Sequence, residues 1–199
     1  VAIWLSGFLG KNAQAANQIS LNLSTMTFMF AMGLGVTAMI RIGNQKGKKD
    51  YLSLQRIAYS IFLLIFIFDI FFCLFFLIGN EILPQIYLDS GNPFQFSDVS
   101  EVIKIASSLL IISAFFQISD GLQAVVLGAL RGLQDVNVPA IITFFAYGIF
   151  GIPISYFLGL KTTLGAEGIW IGLLSGLTVS AILLYLRFNY LTKKLILNS

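Results

Sequence analysis

The chain has 199 residues, of which 57% are hydrophobic and only 11% are charged. An average soluble domain carries about 25% charged residues, so this composition excludes an ordinary water-soluble fold and predicts an integral membrane protein. The chain has no histidine, which removes histidine bases, histidine-dependent nucleophilic pairs and the commonest zinc ligand. Its one cysteine, Cys73, lies in an apolar stretch and has no partner for an intramolecular disulfide. We expect no covalent catalysis, and hence no enzyme.

Five apolar stretches are each long enough to cross a bilayer, which takes about 20 residues of helix. They predict full transmembrane helices at residues 13–40, 57–78, 105–130, 138–160 and 166–186. A sixth apolar piece, residues 1–10, is too short to span and is expected to be the end of another helix. The predicted fold class is therefore an all-α integral membrane bundle of five full helices plus the end of a sixth.

The net charge of +3 is distributed unevenly between the loops. Nine of the 12 basic residues follow the first, third and fifth full helices. They are Arg41, Lys46, Lys48, Lys49, Arg56, Arg131, Arg187, Lys193 and Lys194. Because basic loops remain cytoplasmic, Lys48 and the C-terminus are predicted to be cytoplasmic and Asn92 external. Basic residues distributed in this way indicate that the chain lies in a lipid bilayer and does not bind nucleic acid.

The first full helix carries a polar stripe of Gln14, Gln18, Asn22 and Thr25 at steps of three and four residues. Amide oxygens can ligate a cation, which favours a wet cavity. Hydrogen bonding between helices explains any single member equally well. Both interpretations stay open at this point.

The loop at residues 43–49 reads GNQKGKK and superficially resembles a phosphate-binding loop. It has three residues between its glycines where that motif has four, lacks the following Ser or Thr, and comes after a membrane helix instead of a strand. We expect no nucleotide partner. Any transport should then be driven by an ion gradient.

The second helix contains one acid, Asp69, whose neighbours at helical spacing are apolar. With no polar stripe around it, Asp69 is expected to face no cavity and to matter less than the acid of the next helix. A neutral acid and an acid sheltered by another helix are the alternatives to a direct role. Glu167, at the start of the last helix, suits the helix dipole.

Asp120 is the strongest functional signal in the chain. A carboxylate in the middle of a span costs about 2.5–3.5 kcal/mol on insertion scales, so a compensating environment is required. Ser113, Gln117 and Asp120 share one helical face, which predicts a polar cavity. A protonated, purely structural acid is the alternative.

The last two helices carry backbone signals. Pro153 removes a backbone donor and predicts a kink in the fourth helix. Gly168, Gly172, Gly176 and Ser180 follow at steps of four residues, which predicts close packing against a neighbouring helix.

Four segments together resemble the multidrug and toxic compound extrusion family, and its bacterial NorM-like branch in particular. They are residues 15–22 (AANQISLN), residues 41–43 with Gly47, Asp120 with residues 128–132 (GALRG) and Asp135, and residues 165–170 (GAEGIW). The resemblance implies a transporter of twelve helices in two six-helix lobes, of which this chain is the C-terminal one. The full helices would then be helices 8 to 12, residues 1–10 the end of helix 7, and the N-terminal lobe a missing partner.

The resemblance also implies roles for individual residues. Asp120 would bind the coupling cation, a sodium ion or proton, with Gln117 beside it and Asn22 and Gln18 lining the same cavity. Phe116 stands where related sequences often have tyrosine, so a hydroxyl is absent there. Tyr147 would contact substrate through its ring, although a packing role fits it equally well.

The main hypothesis is one lobe of a secondary antiporter in the bacterial inner membrane, which exports organic cations or drugs against sodium ions or protons without a further cofactor. A lipid-linked oligosaccharide flippase of the same superfamily is an alternative, but its pyrophosphate requires a basic cavity. A third hypothesis is a non-transporting fragment that needs a separate first lobe.

Overall fold

A computed structural model describes residues 7, 9–88 and 96–198. The helices are α1 (Lys11–Gly47), α2 (Tyr51–Gly79), the short α3 (Ile82–Tyr87), α4 (Phe96–Gly132), α5 (Asn137–Phe145), α6 (Ile152–Leu160) and α7 (Gly165–Leu197). A π-helical segment, Ala146–Gly151, joins α5 to α6, and these three together form one span. Within the described residues, five helical stretches are long and apolar enough to cross a membrane. Of the expected helix end at residues 1–10, residues 7, 9 and 10 are described and the other seven lie outside the described residues.

Each predicted stretch lies within one of these spans, and the helices continue beyond the stretches at most ends. α1, for example, has 37 residues and rises about 55 Å at 1.5 Å per residue, well beyond an apolar core of about 30 Å. Hydropathy marks only the part of a helix that lies in lipid. The polar turns that continue a helix into the interface therefore escape a hydropathy pattern.

α4 is the central helix of the bundle and packs against α1, α2 and α7. α1 and α4 run parallel in a nearly constant register. Asn12 donates to Glu101, Ser24 bonds Ser113, and both pairs are 89 residues apart in sequence. Near the ends of both helices, Lys46 Nζ donates to the Leu133 carbonyl at 2.8 Å, 87 residues apart. The two helices are thus matched along nearly their whole length.

Glycine makes the α1–α4 contact close enough for this register. A side chain added at Gly128 would collide with the backbone of Gly35, and one added at Gly132 would lie 2.6 Å from the Met39 carbonyl oxygen. The backbones of the two helices therefore touch each other.

The predicted glycine stripe of α7 also mediates packing. A side chain at Gly168 would collide with Leu158, one at Gly172 with Ser155, and one at Gly176 with Gly151. These three neighbours belong to α6 and the end of the π-helical segment. The interpretation of the stripe as a packing surface is confirmed.

At the place where Pro153 predicts a kink, the structure has the π-helical segment. Pro153 lies in the first turn of α6, where a missing backbone donor costs little. The π-helical segment lies immediately before the first turn of α6 and accommodates the proline.

Short polar contacts join the helix ends at the end of the bundle that carries most of the basic residues. Arg187 Nε lies 2.9 Å from Asp135 Oδ2, which ties α7 to the α4–α5 turn. Asp50 caps α2 by accepting a hydrogen bond from the Ser53 backbone N–H at 3.1 Å. Hydrogen bonds from Ser53 hold the pKa of the Asp50 carboxyl below its usual range, and Arg56 and Lys48 add to this effect.

Candidate functional site

A small polar pocket lies between α1, α2 and α4. α2 contributes Asp69, and the others come from α1 and α4. The lining residues are Ser24, Thr27, Phe28, Ala31, Asp69, Phe116, Gln117, Asp120 and Gly121. Both intramembrane acids thus meet in one pocket, although they lie on different helices.

The expectation that Asp69 faces no cavity is wrong. Its side chain is 6% exposed and lies against the backbone of Gly121, where an added Cβ would fall 2.8 Å from the carboxyl carbon. Because Gly121 has no side chain, the Asp69 carboxyl can enter the pocket beside Asp120. The neighbours of Asp69 along α2 are apolar, as the sequence shows, but its partners come from another helix.

The hydroxyl groups of α1 present lone pairs at this pocket. Thr27 Oγ1 donates its proton to the Ser24 carbonyl at 2.9 Å, and Ser24 Oγ donates to the Ser20 carbonyl at 2.8 Å. Since the Ser24 proton is used in this way, Ser113 is the donor in the hydroxyl pair that joins α1 to α4. Both α1 hydroxyls are therefore hydrogen-bond acceptors toward the pocket.

Buried polar atoms without a protein partner concentrate here. Among the described residues, four buried side-chain atoms have no hydrogen-bond partner, and three of them are Asp69 Oδ2, Gln117 Oε1 and Gln117 Nε2. Gln117 is 5% exposed. Burying such groups unpaired costs about 1–3 kcal/mol each. An uncompensated cluster of this kind indicates a site that something else occupies.

The pocket is small. Its volume of about 10 Å³ is close to the minimum that holds one water molecule, whereas pockets for drug-sized ligands measure about 300–1,000 Å³. None of the described residues that line it is basic. The pocket thus has room for a water-sized occupant and is far smaller than the pockets of drug-sized ligands.

The structure does not bring Gln18 and Asn22 to this pocket. Both lie on the exposed side of α1, where Gln18 Nε2 donates to Asn22 Oδ1 at 3.2 Å. Gln14 and Thr25 are exposed on the same side. The stripe therefore forms a polar surface of the bundle, separate from the acids.

Tyr147 also lies outside the pocket lining. It is half-buried in the π-helical segment, and its hydroxyl donates to Gln123 Oε1 at a long 3.4 Å. Phe116 does line the pocket, and its ring contacts Trp170 edge-on at 5.3 Å between centroids. Phe116 closes an apolar wall where a tyrosine would bring a hydroxyl.

Sequence reasoning assigned six of the lining residues to no cavity: Ser24, Thr27, Phe28, Ala31, Asp69 and Gly121. A signal for the two hydroxyls existed, since Asn17, Ser20, Ser24 and Thr27 form a second polar stripe on α1. Periodicity reveals two stripes and cannot tell which one faces α4. The glycine directly after Asp120 was a signal for close approach of another helix.

A helical membrane bundle that brings two acids together in a small polar pocket is typical of a transporter with an ion pathway. The MatE family model matches residues 1–157, and this chain belongs to the MatE family. The family resemblance and the all-α membrane fold expected from the sequence are thereby confirmed.

Two relatives show the extent of the similarity. A "Probable multidrug resistance protein NorM" of Rhodopseudomonas palustris is 38% identical over 182 residues, which cover 91% of this chain and 37% of that protein. The multidrug resistance protein MdtK of Photorhabdus laumondii is 36% identical over 190 residues, which cover 94% of this chain and 40% of that protein. The chain thus spans about 40% of the length of these relatives.

Solved structures agree on the fold. A eukaryotic MATE transporter matches with a TM-score of 0.84 at 22% identity, over 97% of this chain and 43% of that one. An outward-facing multidrug resistance MATE family transporter matches with a TM-score of 0.80 at 16% identity, over 98% of this chain and 44% of that one. The five-helix bundle therefore has the architecture of a part of those transporters.

Proposed function

We propose that the chain is the C-terminal lobe of a secondary antiporter that exports organic cations or drugs in exchange for sodium ions or protons. Residues 13–186 would supply helices 8 to 12 of a twelve-helix transporter, completed by an N-terminal lobe. The names of the relatives, which are multidrug resistance proteins, support drugs as cargo. The observation that carries the proposal is the buried acidic pocket around Asp120.

The pocket separates the ion from the cargo. Since a cavity of about 10 Å³ admits only a water-sized occupant, the coupling ion binds at Asp120 and the cargo binds elsewhere. The exposed polar stripe of α1 is our candidate for the cargo surface. Met26 and Met29 are 62% and 68% exposed next to it, and thioether side chains adapt to varied apolar ligands.

Exchange follows if ion binding shifts the balance between outward- and inward-facing states. An ion does this only by binding the two states with different affinity. Asp120 would be ionised when it holds the cation and neutral when it holds a proton. Gln117 would orient the bound ion through its amide oxygen.

The acidic pocket favours a cationic partner over the pyrophosphate of a lipid-linked oligosaccharide, which a basic cavity would have to hold. Among the described residues, basic side chains lie near the helix ends, and the pocket contains none. We propose the bacterial inner membrane as the location, with the C-terminus in the cytoplasm. No cofactor other than the coupling ion takes part.

The test is Asp120→Asn in a two-lobe protein made by joining this chain to the first lobe of a NorM relative. The amide has nearly the size of the acid, so the fold should persist, but no negative charge can form. We expect drug efflux from proteoliposomes, driven by an imposed sodium or proton gradient, to be lost.

The matched control is Glu81→Gln, which removes an exposed acid between α2 and α3 and should leave efflux unchanged. Wild-type coupling in the Asp120→Asn protein would eliminate the mechanism. Efflux by the 199-residue chain alone would eliminate the need for an N-terminal lobe.

A further inference from the structure

We propose that Asp69 supplies a second carboxylate to the Asp120 pocket, so that this lobe binds one sodium-sized monovalent cation between carboxylates contributed by α2 and α4. The inference rests on the proposed function for its role in transport. The binding site itself rests only on the geometry of the pocket.

The first argument is the approach of Asp69 to α4. Its carboxyl occupies the space that any side chain at position 121 would fill. Asp69 and Asp120 both line the same pocket, so the two carboxyl groups lie near each other. An acid inside the membrane is costly, and two acids placed together are more costly still, because like charges repel strongly where the dielectric constant is low. A cation between them removes that repulsion.

The second argument is the set of oxygen atoms left without protein partners. Asp69 Oδ2 and Gln117 Oε1 are buried and unpartnered, and both residues are more than nine-tenths buried. Thr27 and Ser24 have used their protons on backbone carbonyls and present only lone pairs. A single proton can satisfy one of these acceptors. A metal cation satisfies several at once, and carboxylate and amide oxygens are typical ligands of hard cations.

The third argument is size and ligand number. The volume of about 10 Å³ is enough for one water-sized ion. The described part of the chain contains no group of three or more His, Cys, Asp or Glu side chains able to hold a metal. Calcium takes six to eight oxygen ligands and magnesium retains several waters. Two carboxylates with a few neutral oxygens in so small a pocket therefore favour a monovalent ion.

The experiment measures binding, separately from transport. The 199-residue chain is reconstituted in lipid nanodiscs and its affinity for radioactive sodium is determined, with radioactive calcium as a second probe. We expect sodium binding with one ion per chain. Asp69→Asn and Asp120→Asn should each weaken it by about tenfold or more, since changes even in the outer partners of a metal site cost about 10–100-fold.

Gly121→Ala tests the geometry with both acids intact. The added methyl group must displace the Asp69 carboxyl, so sodium affinity should fall about as far as in Asp69→Asn. The Asp69→Asn, Gly121→Ala double variant should bind no worse than Asp69→Asn alone, because both changes remove the same contact. The matched control is Gly33→Ala, where an added Cβ meets nothing within 4 Å and affinity should be unchanged.

Three results would overturn the inference: unaltered sodium affinity in Asp69→Asn, additive losses in the double variant, or binding of calcium in place of sodium. Absence of any metal binding would also reject it and leave a protonated pair of acids. If Asp69→Asn binds sodium normally while Asp120→Asn abolishes efflux, the inference fails and the proposed function stands. If sodium binds as expected but efflux never depends on Asp120, the inference stands and the proposed function fails.

Discussion

Single residues of this lobe are held in place by partners on distant helices. Trp170 of α7 is 2% exposed, and its Nε1 donates to Asn17 Oδ1 of α1 at 2.9 Å. Asn17 is 1% exposed, and its amide nitrogen has no partner. This hydrogen bond joins the first and last described helices and orients the ring that supports Phe116 beside the acids.

Trp170→Phe should therefore destabilise the lobe by about 1–3 kcal/mol, the cost of leaving a buried polar group unpaired, with a further loss from the smaller ring. Unfolding in mixed micelles measures the free energy. The control is the double variant Asn17→Leu, Trp170→Phe, which removes both polar partners and should recover part of the loss. Equal stability of Trp170→Phe and the wild type would show that this bond contributes nothing.

At the scale of elements, glycine sets how closely helices approach. α1 meets α4 at Gly35 and Gly128, and α7 meets α6 and the π-helical segment at Gly168, Gly172 and Gly176. In lipid, such contacts replace the hydrophobic force that drives helices together in water. A glycine at these positions cannot be exchanged without moving a backbone.

Gly128→Ala should destabilise the bundle by about 1–3 kcal/mol, as overpacking does elsewhere, because the new methyl group overlaps the Gly35 carbonyl. The contrast is Gly33→Ala on α1, which faces open space and should gain up to about 1 kcal/mol from better helix propensity. Thermal unfolding of the detergent-solubilised protein compares the two. Similar midpoints for both variants would reject glycine as the determinant of this contact.

Sequence periodicity recovers what one helix determines by itself. The shared face of Gln117 and Asp120, the packing stripe of α7 and the break near Pro153 all follow from residues on one segment, and the structure has each of them. The prediction that Asp69 faces no cavity was wrong because the Asp69 carboxyl packs against α4. The sequence of α2 contains no sign of that contact. Which stripe of α1 faces the acids depends on the rotation of that helix in the bundle, and hydropathy cannot determine a rotation within a membrane.

At the scale of the whole molecule, the contacts at one end support the orientation proposed from charge. Lys46 donates to the turn after α4, and Arg187 pairs with Asp135 in the same turn. The loops that carry most of the basic residues therefore meet at one end of the bundle. The positive-inside rule expects basic loops to lie together on the cytoplasmic side.

Cysteine labelling should thus modify position 48 only from the cytoplasmic side and position 92 only from outside. Position 92 lies outside the described residues, so the test there rests on charge alone. Cys73, the one native cysteine, is 7% exposed and should give little background. Labelling of position 92 from the cytoplasm would reverse the orientation.

The matched register of α1 and α4 restricts how this lobe can move. A slide of one helix along the other by a single turn, about 5.4 Å, would break the contacts of Asn12, Ser24 and Lys46 together. These contacts therefore oppose piston motion between the two helices. The α1 and α4 walls of the pocket are therefore fixed relative to each other, and α2 contributes one lining residue, Asp69.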